Sequence, residues 1–126
     1  MNLNQVTLPS LNLSESIKFY KKLGMRLIVD ALPRYARFEC PEGDATFSIH
    51  LVEKMTSKNG VSIYFEDDNL DKTVNNLLEK GITFKTMSID QNWLWREASL
   101  LDPDGNHIIL FKAGKNRKNP PWRINY

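Results

Sequence analysis

Two tryptophans stand two residues apart beside a pair of opposite charges in Asn92-Trp93-Leu94-Trp95-Arg96-Glu97-Ala98. In an extended segment residues i and i+2 share a face, so Trp93 and Trp95 are expected to present two flat rings together. An indole carries a large apolar surface and one N–H donor, which suits it to stacking on a ring or covering a hydrocarbon. The same surface would also fill a core or a dimer interface. Arg96 and Glu97 point to opposite sides of such a strand. Turned inward, Arg96 would clamp a carboxylate or phosphate; turned outward, it is a surface charge. Arg34, Tyr35 and Arg37 pose the same question in the first half of the chain. For general acid–base work the candidates are Glu97, Glu66 and His50, none with a partner that sequence places within hydrogen-bond reach. No nucleophile–base constellation and no phosphate-cradling glycine loop occurs. A single cysteine, Cys40, excludes an internal disulfide and a Cys-rich zinc site, and is expected to be an inert, partly buried bystander.

The elements that must position these residues are written twice. Gln5-Val6-Thr7-Leu8 alternates as a half-buried strand does. Asn12-Leu13-Ser14-Glu15 has capping-box spacing, and Leu13, Ile17, Tyr20 and Leu23 follow at helical intervals up to Gly24, a good terminating residue. Strands are expected at Arg26–Val29, Tyr35–Glu39 and Thr46–Val52, the last with Phe47, Ile49 and Leu51 on one face. The pattern then recurs: a strand at Val61–Phe65, and a helix from Asn69 carrying Leu70, Val74, Leu77 and Leu78 to Gly81. Strands follow at Thr83–Thr86, Trp95–Leu101 and His107–Lys112. Asn12 and Asn69, Ile17 and Val74, and Gly24 and Gly81 are each 57 positions apart. The turns at Pro41-Glu42-Gly43 and Pro103-Asp104-Gly105 correspond as well. A repeated strand–helix–strand–strand–strand unit follows from periodicity alone. A sheet covered by one helix leaves its other face to line a partner or a cavity.

Size and charge restrict what those faces can serve. The chain has 126 residues, 41% hydrophobic and 25% charged, which is enough for one soluble globular domain. A net charge of +2 argues against a nucleic-acid or membrane-surface partner. Positive charge gathers only in Lys112 to Arg123, expected to be a solvated tail in which Trp122 docks on its own domain or a dimer partner. With no signal-peptide pattern at Met1–Gln5 and no long apolar run, the expected location is cytoplasmic.

Asn12 through Ser16, Phe19-Tyr20 and Leu23-Gly24 resemble the first-helix signature of the vicinal oxygen chelate superfamily of glyoxalase I, extradiol dioxygenases and the fosfomycin and bleomycin resistance proteins. Leu101-Asp102-Pro103-Asp104-Gly105-Asn106-His107-Ile108-Ile109-Leu110 resembles its last hairpin and strand. The resemblance covers nearly the whole chain. It implies an α+β fold of two βαβββ modules, forming a curled mixed sheet with an open U-shaped cavity, and homodimers. The domain would occupy residues 1–126, with modules at about 1–56 and 57–114 and a tail at 115–126.

The resemblance also implies divalent-metal ligands on the first and fourth strands of each module. Those positions fall here on Gln5, Ser48, Ser62 and Ile109. One amide, two hydroxyls and a hydrocarbon make a poor donor set, so neither a metal nor another cofactor is expected. Strand alternation puts His50 and His107 on the cavity side, near opposite ends of their strands. Gln5, Thr7, Ser48 and Ser62 would make a neutral floor, with Tyr64 adding a phenol. Because the segment around Trp93 and Trp95 rims the cavity in resembling proteins, the expected ligand-binding set is Gln5, Thr7, Ser48, His50, Ser62, Tyr64, Trp93, Trp95, Arg96 and Ile109. The leading reading is a metal-free protein that binds a small molecule. The alternatives are a glyoxalase-type lyase, isomerase or dioxygenase, with a relocated metal or a metal-free acid–base site, and a dimeric interaction domain.

Overall fold

A computed structural model describes residues 1–55 and 60–125. Its contacts divide the chain into two units, Met1–Gly60 with Asp102–Asn106, and Val61–Leu101 with His107–Tyr126. The junction between the expected modules, near residues 56–57, lies outside the described residues.

In the first unit β1 (Gln5–Ser10) leads to α1 (Leu13–Lys22), β2 (Arg26–Ala31), β3 (Tyr35–Glu39) and β4 (Thr46–Leu51). The Asn12 side chain caps α1 by accepting from the Glu15 N–H at 3.2 Å. Asn12's own N–H donates to Ser10 Oγ at 3.2 Å, the role a reciprocal capping box would have given to Glu15. The helix ends as Gly24 takes φ +102°, where a β-carbon would be strained. The strands order as β1-β4-β3-β2, with β1 and β4 parallel and the other pairs antiparallel. Leu8, Ala36, Phe38, Phe47 and Ile49 turn toward Leu13, Ile17 and Tyr20 of α1 and are buried. Leu51, at the strand end, is 41% exposed instead of continuing that apolar row.

The second unit repeats the arrangement with β5 (Ser62–Glu66), α2 (Leu70–Glu79), β6 (Thr86–Asp90), β7 (Arg96–Leu101) and β8 (His107–Lys112), ordered β5-β8-β7-β6. Gly81 ends α2 at φ +86° as Gly24 ends α1. The start of α2 differs, because Asn69 makes no side-chain cap. Asp67 serves in its place, accepting from the Asn69 N–H at 2.8 Å and from the Thr73 hydroxyl at 2.5 Å. Leu70, Val74, Leu77, Ala98, Leu100, Ile108 and Leu110 are buried here; Leu78, off the stripe, is 40% exposed. The strand expected at Thr83–Thr86 begins only at Thr86. Before it, Lys85 makes one backbone bond to Ser99, and β6 shifts register against β7 between Thr86 and Ile89. After β8 a single 3₁₀ turn, Gly114–Asn116, starts the tail. Trp122 does not dock on its own domain: it is 57% exposed, on a segment of prolines and polar residues.

Candidate functional site

Each sheet buries one face under its helix, and the candidate residues fall largely on the other face. In the first unit the register pairs Gln5 with Thr46, Thr7 with Ser48 and Tyr35 with His50. A chain of hydrogen bonds runs across these strands. The Thr46 hydroxyl donates to Gln5 Oε1, which turns Gln5 Nε2 toward Ser48 Oγ at 2.9 Å. The Ser48 hydroxyl, which accepts from Gln5, shares a second hydrogen bond with the Tyr35 hydroxyl at 2.6 Å, in which either oxygen can donate. Arg37 Nε donates to the same oxygen at 2.8 Å. The Ser48 hydroxyl, with Arg37 adding its bond and its charge, holds the Tyr35 phenol below its ordinary pKa. Thr7 and His50 stand exposed on this face.

In the second unit β5 pairs with β8 through Ser62–His107, Tyr64–Ile109 and Glu66–Phe111. The Ser62 hydroxyl lies 2.7 Å from His107 Nδ1. Ile109, Phe111 and Ala113 form a small apolar cluster against which Trp95 packs. Trp95 stacks on Phe111 with centroids 4.8 Å apart and an angle of 24° between planes. Tyr64 stands nearly perpendicular to both rings, 5.6 Å from Phe111 and 6.0 Å from Trp95. Such ring pairs contribute roughly 0.5–1.5 kcal/mol beyond simple burial. Burial first, then the nearby Glu97 charge, raises the Tyr64 pKa. With Glu66 and Arg117, these rings line a groove of about 600 Å³.

Of the two tryptophans only Trp95 lines this groove, and it does so from a turn rather than from a strand. Gln91 to Trp95 is a turn, with Leu94 at φ +68° and the Gln91 N–H bonded to the Trp95 carbonyl at 2.7 Å. Trp93 is half exposed, and its indole N–H donates to Glu97 Oε2 at 2.8 Å. Trp95 turns its N–H to the Asn116 carbonyl at 3.2 Å, so the 3₁₀ turn is tied to the ring that floors the groove. Arg117 follows, with Nε 3.5 Å from Glu66 Oε1. A tail read from composition as solvated therefore contributes a wall; Gly114, at φ +56°, was the one sequence signal of the chain's reversal there.

Arg96 turns away from the groove. It bonds Asp71, in the first turn of α2, at 2.9 Å and Asp90 at 3.0 Å. Those two carboxylates raise the Arg96 pKa, and Arg96 lowers that of Asp71. Arg96 also lines a second concavity of about 500 Å³ with Asp90, Lys112 and the other side of Trp95. Cys40 is half-buried, which pushes its thiol pKa up and leaves it unreactive.

The resemblance noted above implies a metal, and the residues present do not fit one. Gln5 and Ser48 spend their polar atoms on one another and on Thr46 and Tyr35, Ser62 is engaged with His107, and Ile109 has no donor. Among the described residues no three His, Cys, Asp or Glu side chains converge in a way that could hold an ion. Glu97 accepts from the Trp93 indole N–H, and Glu66 pairs loosely with the half-exposed Arg117.

Comparison with other proteins gives the arrangement a relationship. A glyoxalase/bleomycin resistance protein/dioxygenase from Nocardioides shares 21% identity, with TM-score 0.78 over 99% of this chain and 90% of that one. A lactoylglutathione lyase from Agrobacterium tumefaciens shares 15%, with TM-score 0.74 over 90% and 94%. A bleomycin-binding protein complexed with bleomycin shares 20%, with TM-score 0.72 over 89% and 98%. At these identities the likeness establishes fold and not chemistry. Among curated proteins none matches. The sequence profile of one family matches residues 2–110, and the chain thereby belongs to the Glyoxalase/Bleomycin resistance protein/Dioxygenase superfamily.

Proposed function

We propose that this protein binds a small molecule without a metal, and that the aromatic groove of the second unit is the site. The observation that carries the reading is the right-angled arrangement of Tyr64 against the stacked Trp95 and Phe111. An apolar concavity of about 600 Å³ with a few polar groups at its edge has the size and character of a ligand pocket. Exposed aromatic surface is costly unless something covers it for part of the time. The engaged polar side chains at three of the family's metal positions, with a hydrocarbon, Ile109, at the fourth, favour a binding role over Lewis-acid catalysis. The bleomycin complex of one structural relative makes metal-free bleomycin a rational first probe, beside planar aromatics and amphipathic compounds of either charge.

Thermal-shift screening tests this directly. A ligand at about a hundred times its dissociation constant should stabilise the protein by about 2.7 kcal/mol. Trp95→Ala should weaken its binding at least about tenfold, as loss of a buried aromatic anchor does. No stabilisation by any class would remove the binding reading; equal binding by Trp95→Ala would move the site elsewhere.

We also read the protein as a cytoplasmic homodimer. Leu11, Leu32 and Leu51 are each more than 40% exposed, yet with Pro33 they line one concavity of about 170 Å³. Sedimentation should give a dimer at micromolar concentration, with Leu32→Glu shifting it toward monomer; a wild-type monomer at high concentration would refute this. No helix among the described residues is long and apolar enough to cross a membrane.

A further inference from the structure

The groove's chemistry points past a generic apolar ligand. We propose that it receives an organic cation, with a quaternary or heavily methylated ammonium group seated in the corner of Tyr64, Trp95 and Phe111 beside the Glu66 carboxylate. This rests on the small-molecule reading above and names the ligand class of that site.

Three observations converge on it. Tyr64 meets the Trp95–Phe111 stack at 85–86°; Phe111 is buried behind them, so the accessible ring surface is that of Tyr64 and Trp95, and the electronegative faces of such rings attract a cation. Glu66 and Arg117 are the one acidic and the one basic side chain lining the groove, and Glu97, bonded by the Trp93 indole, lies close enough to Tyr64 to raise its pKa. Arg117 itself is the third observation. Its guanidinium comes from the tail rather than from the sheet, is half exposed, and stands 3.5 Å from Glu66, longer than a good charge-assisted bond. An exposed pair of this kind is worth little, so a ligand's cation can take its place beside Glu66 at small cost. Arg117 acts as a stand-in for the cation of the ligand.

The preference for a methylated head follows from hydrogen-bonding capacity. A primary ammonium carries three donors that must be satisfied once water leaves. Trp95 and Phe111 offer ring carbon, Trp95's only polar atom is already turned to Asn116, and the Glu66 carboxylate and the Tyr64 hydroxyl are the acceptors among the lining side chains, too few to satisfy three N–H groups at one point. A methylated ammonium has no N–H to satisfy, spreads its charge over its methyl groups, and loses nothing against carbon. The groove is large enough for a further molecular body attached to that head.

The test uses the full chain, isotope-labelled, and follows the Trp95 indole N–H by NMR, assigned by its loss in Trp95→Phe. Four probes are titrated: choline, the carbon isostere of choline with the quaternary nitrogen replaced, ethanolamine, and neutral naphthol. Choline should shift the Trp95 resonance and bind at least about tenfold more tightly than its isostere and than ethanolamine. Glu66→Gln should weaken choline about fivefold and Arg117→Gln should strengthen it about threefold, each relative to naphthol measured on the same variant. Equal binding of choline and its isostere, or a choline affinity that Arg117→Gln leaves unchanged, overturns the proposal. Naphthol binding at Trp95 with no choline preference would sink the cation and keep the small-molecule reading. If none of the four perturbs Trp95, the cation proposal falls, and the thermal-shift screen decides the small-molecule reading separately.

Discussion

Asp102→Ala is expected to cost about 4 kcal/mol of folding stability, enough to lower the melting temperature by about 12 °C in a chain of this size. Asp102 is buried, and its two carboxylate oxygens are fully used. Oδ1 accepts from the backbone N–H groups of Asp104 and Asn106 at 2.9 and 2.8 Å. Oδ2 accepts from the Tyr20 hydroxyl at 2.6 Å and from the Asn106 side-chain amide at 2.8 Å. Alanine removes all four acceptor contacts while leaving the donors inside, which is the costly way to break a buried polar group. Asp102→Asn should lose about half as much, because its amide keeps one acceptor oxygen and turns two donors toward donors. Asp104→Ala, at a half-buried position where the carboxylate accepts from the Leu11 N–H and the Ser16 hydroxyl, should cost only about 1–2 kcal/mol. Chemical denaturation of the three variants measures this series. An Asp102→Ala protein within about 1 kcal/mol of wild type would show that the network is incidental.

Stability should fall steeply above pH 10, and Tyr20 is the reason. Burial first, then the Asp102 charge and hydrogen bond, with Asp104 adding, raise its pKa far above the ordinary value. The unfolded chain releases this proton near pH 10, whereas the folded chain retains it. Above that pH the folded state therefore binds more protons, and unfolding becomes easier by about 1.4 kcal/mol for each further pH unit. Below pH 10 the contribution is fully present. Tyr64, whose pKa is also raised, acts in the same direction; Tyr35, whose pKa is lowered, acts in the opposite one. The difference between wild type and Tyr20→Phe isolates the effect: the variant is less stable at pH 8 but should close the gap by about 2 kcal/mol at pH 11.5. Parallel pH curves for the two proteins would mean that the Tyr20 proton is not held as described.

Where local chemistry sets an element, its position was readable in the sequence. Asn12 caps α1, Gly24 and Gly81 close both helices, and the turn at Asp102–Asn106 forms as its residues demand. Strand ends that depend on a partner were not readable. Thr83-Phe84-Lys85 alternates as well as any strand, but the ladder with β7 is taken up only from Thr86. The candidate site was readable in its residue types and not in its directions. Trp95 alone lines the groove, while Trp93, beyond the Leu94 turn, stays half exposed with its indole N–H on Glu97. Arg96 had no visible reason to turn from the groove, since Asp71 lies 25 positions away and becomes a neighbour only when α2 packs on its sheet. Asn116 and Arg117 escaped notice for the same reason: composition describes a tail's solubility and is silent on what it folds back against.

The Asp102–Asn106 turn belongs to the first unit although strands of the second flank it in sequence. Position 20 carries a tyrosine that needs an acceptor; its counterpart in α2, Leu77, needs none. Ser16 relies on Asp104, whereas its counterpart Thr73 is served locally by Asp67. The repeat is thus no longer symmetrical in what each copy requires. A chain ending at Gly60 would retain every strand and helix of the first unit and still lack the carboxylates that complete its interior. The partition of the sequence into two repeats and the partition of the interior therefore do not coincide: a cut at the repeat boundary would leave Tyr20 and Ser16 without their acceptors.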